Sequence, residues 1–587
     1  MFVRSISKMA LIASAVLAGA GSVRAQGCTM PAETDFKLVS IFPSHTMSNP
    51  DAMCVLPNGE MFFIEQWSGK VWHFAPGGSI QMIGTVPTNA GAQVEDGMLG
   101  IVADLNFTTT HWLYIYHTPA QLGSTQVDRY VFTNNQLSNP KMIISLPRMK
   151  IGQGLDQRHA GGGMSWNART GDLFMAIGDD TYPGDDITKF GGRDPTREYL
   201  TCLKSSGNTN DLRGKVLRIH PIPFPDTQTP TPGVGQTYSI PKGNLFPEGT
   251  DKTRPEIYTM GTRNAYRVKV DSLTGWAYIG EVGADADAYD AVKGPAGHDH
   301  LYIARKASNY GWPFVNGNVE PYPVRSYETD YLGAGMKVGD LFDPAHLKNL
   351  SKFNTGLTDL PAVSPPALYY CTGNTQKGIS SKLGGGSETA MAGPVYYFDP
   401  NLSSTVKMPP YFHGKEIFGD YSRHYVWLVT PDSSGTVTNL ERIKTNVGMT
   451  DIHIGPDGTI YLLDYDNGGL NSIQYTGSQK DYTACSWIKQ GCTDPKFSEY
   501  DKTANMMKAG SCLTAAAIKA PDRSSAPTLS AVAFGARRFV LPAGTSGAVA
   551  YNVHGVRVAA VRGQAGQAVE LPTRTADGVL FVKFTHD

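Results

Sequence analysis

A surplus of either charge is missing from this chain of 587 residues: 51 Lys and Arg stand against 52 Asp and Glu, a formal net charge of -1. No polycationic field exists to hold nucleic acid or an anionic membrane. Cysteine is scarce, at seven residues (Cys28, Cys54, Cys202, Cys371, Cys485, Cys492 and Cys512), and none falls in a Cys-x-x-Cys-His haem pattern or a tight zinc spacing. A Gly-x-Gly-x-x-Gly strand-helix unit, a phosphate-cradling loop, His-Glu-x-x-His and Gly-x-Ser-x-Gly are all absent. Nicotinamide chemistry, phosphoryl transfer and zincin proteolysis therefore lack their usual carriers. Long apolar runs are missing too, with one short exception from Met9 to Ala20. Arg4 and Lys8 precede that run and Ser22-Val23-Arg24-Ala25 follows it, the pattern of a secretory signal peptide over residues 1–25, cleaved after Ala25. The run falls short of the ~20 residues a membrane span needs. Export into an oxidising compartment predicts that most cysteines pair, Cys28 with Cys54 and Cys492 with Cys512 by proximity, with one left over.

What the chain has in excess is glycine, 64 residues, spread between short β-rich runs. One unit recurs between residues 36 and 477: a Gly-containing turn, then a strand-like run that often carries an aromatic. Leu56-Pro57-Asn58-Gly59 before Met61 to Ile64, Gly171-Asp172 before Leu173 to Ile177, Thr274-Gly275 before Trp276 to Ile279, and Pro456-Asp457-Gly458 before Ile460 to Leu463 are copies. Turn-strand units at blade-sized spacing, without helical periodicity between them, predict an all-β fold, a β-propeller. The Pro/Gly/Asn-rich stretches Arg193 to Gly235 and Asn316 to Gly386 read as long loops above one face, where sites are built on a rigid scaffold, or as plain surface decoration. After Gly477 the composition changes: 485–512 is polar and Cys-bounded, 513–529 is an Ala/Ser/Pro-rich linker, and 530–587 returns to alternating short strands, a separate small β module.

Three local constellations could carry chemistry. His159-Ala160-Gly161-Gly162-Gly163 leads into one strand, and the next strand ends on Gly178-Asp179. A hairpin of these two strands sets His159 and Asp179 at one face, either as a general base with its orienting carboxylate or as a structural His capping a turn. Gly261-Thr262-Arg263-Asn264 offers a guanidinium fork and an amide, for an anionic, carbonyl-rich ligand or for a surface ion pair. The oxygen-rich loop from Gly280 to Asp290 is either a calcium site, although not of the EF-hand pattern, or a solvated acidic turn.

From about Asp51 to Tyr475 the chain resembles the glucose/sorbosone dehydrogenase family of quinoproteins. The carriers, in order, are Glu95-Asp96-Gly97-Met98-Leu99-Gly100-Ile101, His159 with its glycines, Gly178-Asp179, Leu212-Arg213-Gly214-Lys215, and Thr262-Arg263-Asn264. They continue with Gly280-Glu281-Val282-Gly283, Asn309-Tyr310-Gly311-Trp312-Pro313, Ala392-Gly393-Pro394-Val395-Tyr396 and Pro456-Asp457-Gly458. The resemblance implies a six-bladed propeller holding pyrroloquinoline quinone (PQQ) and calcium, and oxidation of a sugar. His159 is then the base that removes the hydroxyl proton and Asp179 its orienting partner. Arg263 and Asn264 contact the cofactor, Arg423 is a later cofactor-binding Arg, Glu95 lies on the substrate side, and the carbonyls of Gly283 and Ala284 bind calcium. The chain departs from the family at Arg158, where an acidic residue often precedes the base, and between Val395 and Asp399, where no cofactor-binding lysine stands. The long loops are closer to the sorbosone branch than to the compact glucose enzymes. The tail from Tyr551 to Val558 and from Gly578 to Lys583 resembles a C-terminal secretion/sorting β-sandwich. The expectation is a secreted sugar dehydrogenase with a small-molecule sugar substrate, an electron acceptor of unknown identity, and no nucleic-acid partner or membrane span. Two alternatives stand beside it: a metal-dependent sugar lactonase, which wants carboxylates converging on the propeller channel, and a non-catalytic propeller that binds carbohydrate or protein.

Overall fold

A computed structural model describes residues 29–478, apart from 90–94, 121–122, 149–158, 182–192, 194–197, 199–200 and 400, together with short stretches between 490 and 585. The signal-peptide segment 1–25, Cys28, Arg158, Cys485, Cys512 and nearly all of the 513–529 linker lie outside the described residues. The chain divides into two compact units, Met1–Ile488 and Lys489–Asp587.

Among the described residues the first unit is a six-bladed β-propeller, each blade a sheet whose successive strands run antiparallel. Blade one is Pro50–Val55, Met61–Glu65, Lys70–Phe74 and Gln81–Thr85; blade two is Met98–Ala103, Trp112–His117, Ser124–Thr133 and Gln136–Pro147. Blade three is built on Met164–Asn167, Asp172–Ile177, Lys215–Pro221 and Ile257–Met260, and blade four on Asn264–Val270, Ala277–Val282, Asp299–Ala304 and Leu368–Tyr370. Blade five is built on Ala390–Met391, Lys415–Asp420, Tyr425–Pro431 and Val437–Lys444. Blade six takes Met449–Ile454, Ile460–Asp464 and Gly469–Tyr475 from the far end of the unit and its outer strand, Phe36–Phe42, from the near end. That strand pairs antiparallel with Gly469–Tyr475, Phe36 opposite Tyr475.

Burial follows from stacking. Inner strands such as Met61–Glu65 and Met98–Ala103 are buried at every position because a neighbouring blade covers each face. Outer strands such as Val437–Lys444 alternate with solvent and are polar where exposed. Phe62 and Ile64 of blade one pack with Leu113 and Ile115 of blade two, and Tyr116 and Val127 of blade two pack with Leu173 and Met175 of blade three. The turns need glycine where the backbone is left-handed, as at Gly59 (φ 88°) and Gly458 (φ 77°).

Side chains from several blades meet at the propeller axis. Arg267, 2% exposed, donates from Nε to the Thr450 carbonyl (2.8 Å), from Nη1 to the Leu99 carbonyl (3.1 Å), and from Nη2 to the Asp51 carbonyl (2.6 Å) and carboxylate (2.9 Å). One guanidinium thus ties blades one, two, four and six. Two residues along the same strand, Lys269 Nζ meets Asp451 at 2.7 Å and His453 Nε2 at 2.9 Å.

Two expectations are corrected. The stretch Arg193 to Gly235 is not loop throughout, since it contains the blade strand Lys215–Pro221, and Asn316 to Gly386 contains the strand Leu368–Tyr370. Both are short apolar runs hidden among turn residues. Cys54 is a buried free thiol, not half of a disulfide with Cys28, and Cys202 and Cys371 are likewise buried. Cys54 lies on the first strand of blade one and faces the apolar cluster shared with blade two. Cys492 is disulfide-bonded.

In the second unit the described strands Leu529–Ser530, Phe581–Thr585, Gly547–Tyr551 and Arg557–Arg562 form one sheet in that order. Arg538–Val540 pairs with Ala568–Glu570, and Gln490–Gly491 with Met506–Met507.

Candidate active site

The hairpin of blade three places the His–Asp pair. Met164–Asn167 runs antiparallel to Asp172–Ile177, Met164 opposite Met175, so the residues before the first strand and after the second emerge at one end. His159 sits there at φ 61°, followed by Gly161 (φ 70°) and Gly162 (φ 127°). The spacing to Asp179 needs Gly178, because a Cβ at that position would lie 1.8 Å from the His159 carbonyl oxygen. His159 Nδ1 meets Asp179 Oδ1 at 2.7 Å, with the two residues 2% and 0% exposed. Asp179 Oδ1 also accepts from the Thr181 N–H (3.1 Å) and hydroxyl (2.8 Å). Its Oδ2 accepts from Trp312 Nε1 (3.0 Å) and lies 3.2 Å from the Cys202 thiol. Burial alone raises a carboxyl pKa, but the charge and hydrogen bond of His159, the Arg263 guanidinium and Thr181 outweigh it and hold Asp179 below the usual carboxylate range. An ionised Asp179 takes the Nδ1–H and leaves Nε2 as the basic nitrogen of His159.

Three more of the expected residues meet this pair. The Glu95 carboxylate accepts the His159 backbone N–H at 2.6 Å and lies 3.4 Å from the Asn264 amide nitrogen. Asn264 Oδ1 accepts the Gly161 N–H at 3.1 Å. The Arg263 carbonyl accepts the Asp179 N–H at 2.7 Å, and its guanidinium, 3% exposed, lies 3.5 Å from Asp285 Oδ2. Under this turn the Glu281 carboxylate takes the Arg263 N–H, His300 Nδ1 at 2.7 Å and the Tyr302 hydroxyl at 2.9 Å. Asp180 completes the frame by facing Arg148 and Arg213, while Arg148 also pairs with Asp96.

Gly283 and Ala284 are buried just beyond this cluster, the Gly283 N–H held by Asp299 at 2.8 Å. Among the described residues no group of three or more His, Cys, Asp or Glu is placed to hold a metal through side chains. Arg423 is engaged elsewhere: its guanidinium donates to the carbonyls of Leu383 (2.7 Å), Gly384 (3.0 Å), Gly386 (2.9 Å) and Ser387 (2.9 Å) and stacks on Tyr370 at 4.6 Å.

A cavity of about 380 Å³ opens over the site, lined by Glu95, Gly161 and Asn264 on one side and by Asp51, Trp67, Tyr421 and Tyr465 on the other. Trp67 Nε1–H is buried without a hydrogen-bond partner. The aromatic wall was not legible in the sequence: Trp67, Tyr421 and Tyr465 come from different blades, and the only local sign was Tyr421 two residues before Arg423. A second cavity of about 530 Å³, lined by Asp285, Asp287, Asp290, Lys293 and Glu388, adjoins the Arg263 partner Asp285. There burial, then Asp299, push the Glu388 carboxyl up to about 10.

Fold and site define the class: a six-bladed propeller with a buried His–Asp pair beneath a small-molecule cavity at one end of its blades. Its family is equally plain. The profile of the family described as Glucose / Sorbosone dehydrogenase matches residues 47–346, just over half of the chain, and the chain belongs to that family. An uncharacterized protein of Synechocystis sp. is 22% identical over 441 residues, covering 73% of this chain and 84% of that protein. The apo-form soluble aldose sugar dehydrogenase of Escherichia coli is 18% identical with a TM-score of 0.49, over 75% of this chain and 99% of that one. The PQQ-bound aldose sugar dehydrogenase of Streptomyces coelicolor is 15% identical with a TM-score of 0.46, over 75% of this chain and 98% of that one.

Proposed function

We propose that this protein is an exported sugar dehydrogenase that oxidises an aldose or related sugar to its lactone or acid, with PQQ and calcium as its cofactors. The observation that carries the reading is the 2.7 Å contact between His159 Nδ1 and Asp179 Oδ1, with Glu95 and Asn264 joined to it at the wall of one cavity. His159 Nε2 takes the proton of the sugar hydroxyl while the adjoining C–H gives up hydride, and the ionised Asp179 stabilises the imidazolium that results. Glu95, fixed by the His159 N–H, presents its carboxylate to neighbouring hydroxyls.

The quinone fits the site in size and in part of its donor set. The cavity of about 380 Å³ suits a three-ring planar molecule, Asn264 stands on its wall, and the partnerless Trp67 Nε1–H is a donor awaiting an acceptor. Arg263 and Asn264 are the residues that would hold the cofactor, and the Gly283 and Ala284 carbonyls its calcium. When bound, PQQ would supply the two-electron acceptor.

The non-catalytic carbohydrate-binding alternative is favoured by two specific observations. Arg423 is committed to four backbone carbonyls, and the described cavity wall holds Asp51 and Glu95 but no Lys or Arg to balance a tricarboxylate. For the lactonase alternative, the channel where carboxylates should converge is occupied by Arg267 and Lys269 in ion pairs with Asp51 and Asp451.

Titration of the calcium-loaded apoprotein with PQQ, followed by dye-linked oxidation over a panel of aldoses, tests the proposal. The expected result is saturable binding and sugar-dependent dye reduction that disappears in His159→Ala. Sugar binding without quinone binding transfers the function to the non-catalytic reading.

A further inference from the structure

The Asn309-Tyr310-Gly311-Trp312 segment has no part in the chemistry derived so far, yet the fold delivers its indole to the dyad. Tyr310 N–H donates to the Met260 carbonyl at 2.9 Å and Trp312 N–H to the Gly261 carbonyl at 3.0 Å. Asn309 Oδ1 accepts the Gly311 N–H at 3.0 Å. A Cβ on Gly261 would lie 2.4 Å from Gly311 N, so the segment lies backbone to backbone against the turn that leads into Arg263. From there Trp312, 7% exposed, donates Nε1–H to Asp179 Oδ2 at 3.0 Å. Cys202, 0% exposed, places its thiol 3.2 Å from the same oxygen. The two carboxylate oxygens are thus divided: Oδ1 serves His159 and Thr181, Oδ2 serves Trp312 and Cys202.

We propose that Trp312 and Cys202 are positioning residues that act through Asp179 to set the basicity of His159. A carboxylate whose far oxygen already accepts two hydrogen bonds is a weaker acceptor toward the imidazole, and its plane is fixed so that Oδ1 meets Nδ1. Without those donors, charge concentrates on Oδ1, the imidazolium is held more tightly, and His159 releases its proton at higher pH. Among the described residues the other charged groups around the pair are Arg263 and Lys215, both acting on the Asp179 carboxylate, Glu95 at the His159 N–H, and Asp180 with Arg148 and Arg213. None of them is changed by a substitution at 202 or 312.

The inference rests on His159 as the base, so its test does not depend on turnover. The imidazole titration of His159 is followed by NMR in the apoprotein, with the resonance assigned by its loss in His159→Gln, for the wild type, Trp312→Phe, Cys202→Ala and Cys202→Ser. Trp312→Phe shifts the titration upward by roughly half a unit to one unit, and Cys202→Ala shifts it upward by less. Cys202→Ser, which restores a stronger donor, returns it to the wild-type value or below. A titration unmoved in both Trp312→Phe and Cys202→Ala overturns the proposal even when sugar oxidation proceeds. The expected shifts in a protein that oxidises no sugar uphold it and discard the dehydrogenase reading. Should Trp312→Phe fail to fold, the Cys202→Ala and Cys202→Ser pair decides alone.

Discussion

Cys54, Cys202 and Cys371 show how differently one residue type behaves according to what surrounds it. Cys54 faces an apolar cluster, where burial pushes its thiol up to about 12 despite hydrogen bonds donated to the sulfur by the Ala103 and Phe62 backbone. Cys202 lies beside a carboxylate, and Cys371 is 3.2 Å from the Thr375 hydroxyl. A thiol whose folded value is raised contributes stability that is complete below its unfolded value and is lost as pH climbs through the folded one. Cys54 therefore stays protonated in the native protein at pH 8 to 9, where a solvated cysteine is substantially thiolate. Iodoacetamide at pH 8.5 is expected to leave Cys54 unmodified in native protein and to label it quickly in guanidinium, as read by peptide mass. Rapid native labelling of Cys54 would contradict its burial.

Single strands and turns decide whether the dyad exists at all. Gly178 lets the strand Asp172–Ile177 run past His159, and a Cβ there meets the His159 carbonyl at 1.8 Å and Asn264 Oδ1 at 2.9 Å. Gly178→Ala is expected to lower sugar oxidation by at least about tenfold and to cost roughly 2 to 4 kcal/mol of stability. Gly77→Ala is the control, at a φ of 79° with nothing within 4 Å of the added Cβ, and costs only the local backbone strain of about 1 kcal/mol. Equal losses in the two variants, measured by activity and chemical denaturation, would remove the special role of Gly178. At this scale the sequence was informative where chemistry is local. The glycines around His159, the Gly178-Asp179 strand end and the Arg263-Asn264 turn all marked positions that the fold brings together. It was silent where partners are distant: Trp312 and Cys202 lie 133 and 23 residues from Asp179, and no periodicity links them. For Arg423 the sequence was silent in the same way, since only the folded loop 383–387 shows which carbonyls its guanidinium meets. The paired Cys28 and Cys54 expected from proximity failed because strand packing, not chain distance, decides where a side chain points.

Across the whole molecule the ring is held at its axis and at its seam. Arg267 joins four blades at the axis, and its loss leaves the buried Asp51 carboxylate without a cation. Arg267→Met is expected to cost about 3 to 5 kcal/mol, read as a lower denaturant midpoint, with Asp51→Asn in the same chain restoring part of it. An unchanged midpoint would show that the axis contributes little. The seam has a consequence in time. Phe36–Phe42 is synthesised before the six blades' other strands, but its partner, Gly469–Tyr475, follows after nearly the whole unit, Asp35 and Thr476 standing 441 residues apart. At ~5 to 20 residues per second on the ribosome, the early strand waits roughly 20 to 90 s for its mate. During that interval it offers an unsatisfied edge to any other chain nearby. A propeller closed in this way cannot finish folding before its last blade has been made, which leaves the nascent chain open for a chaperone or an export machinery to hold.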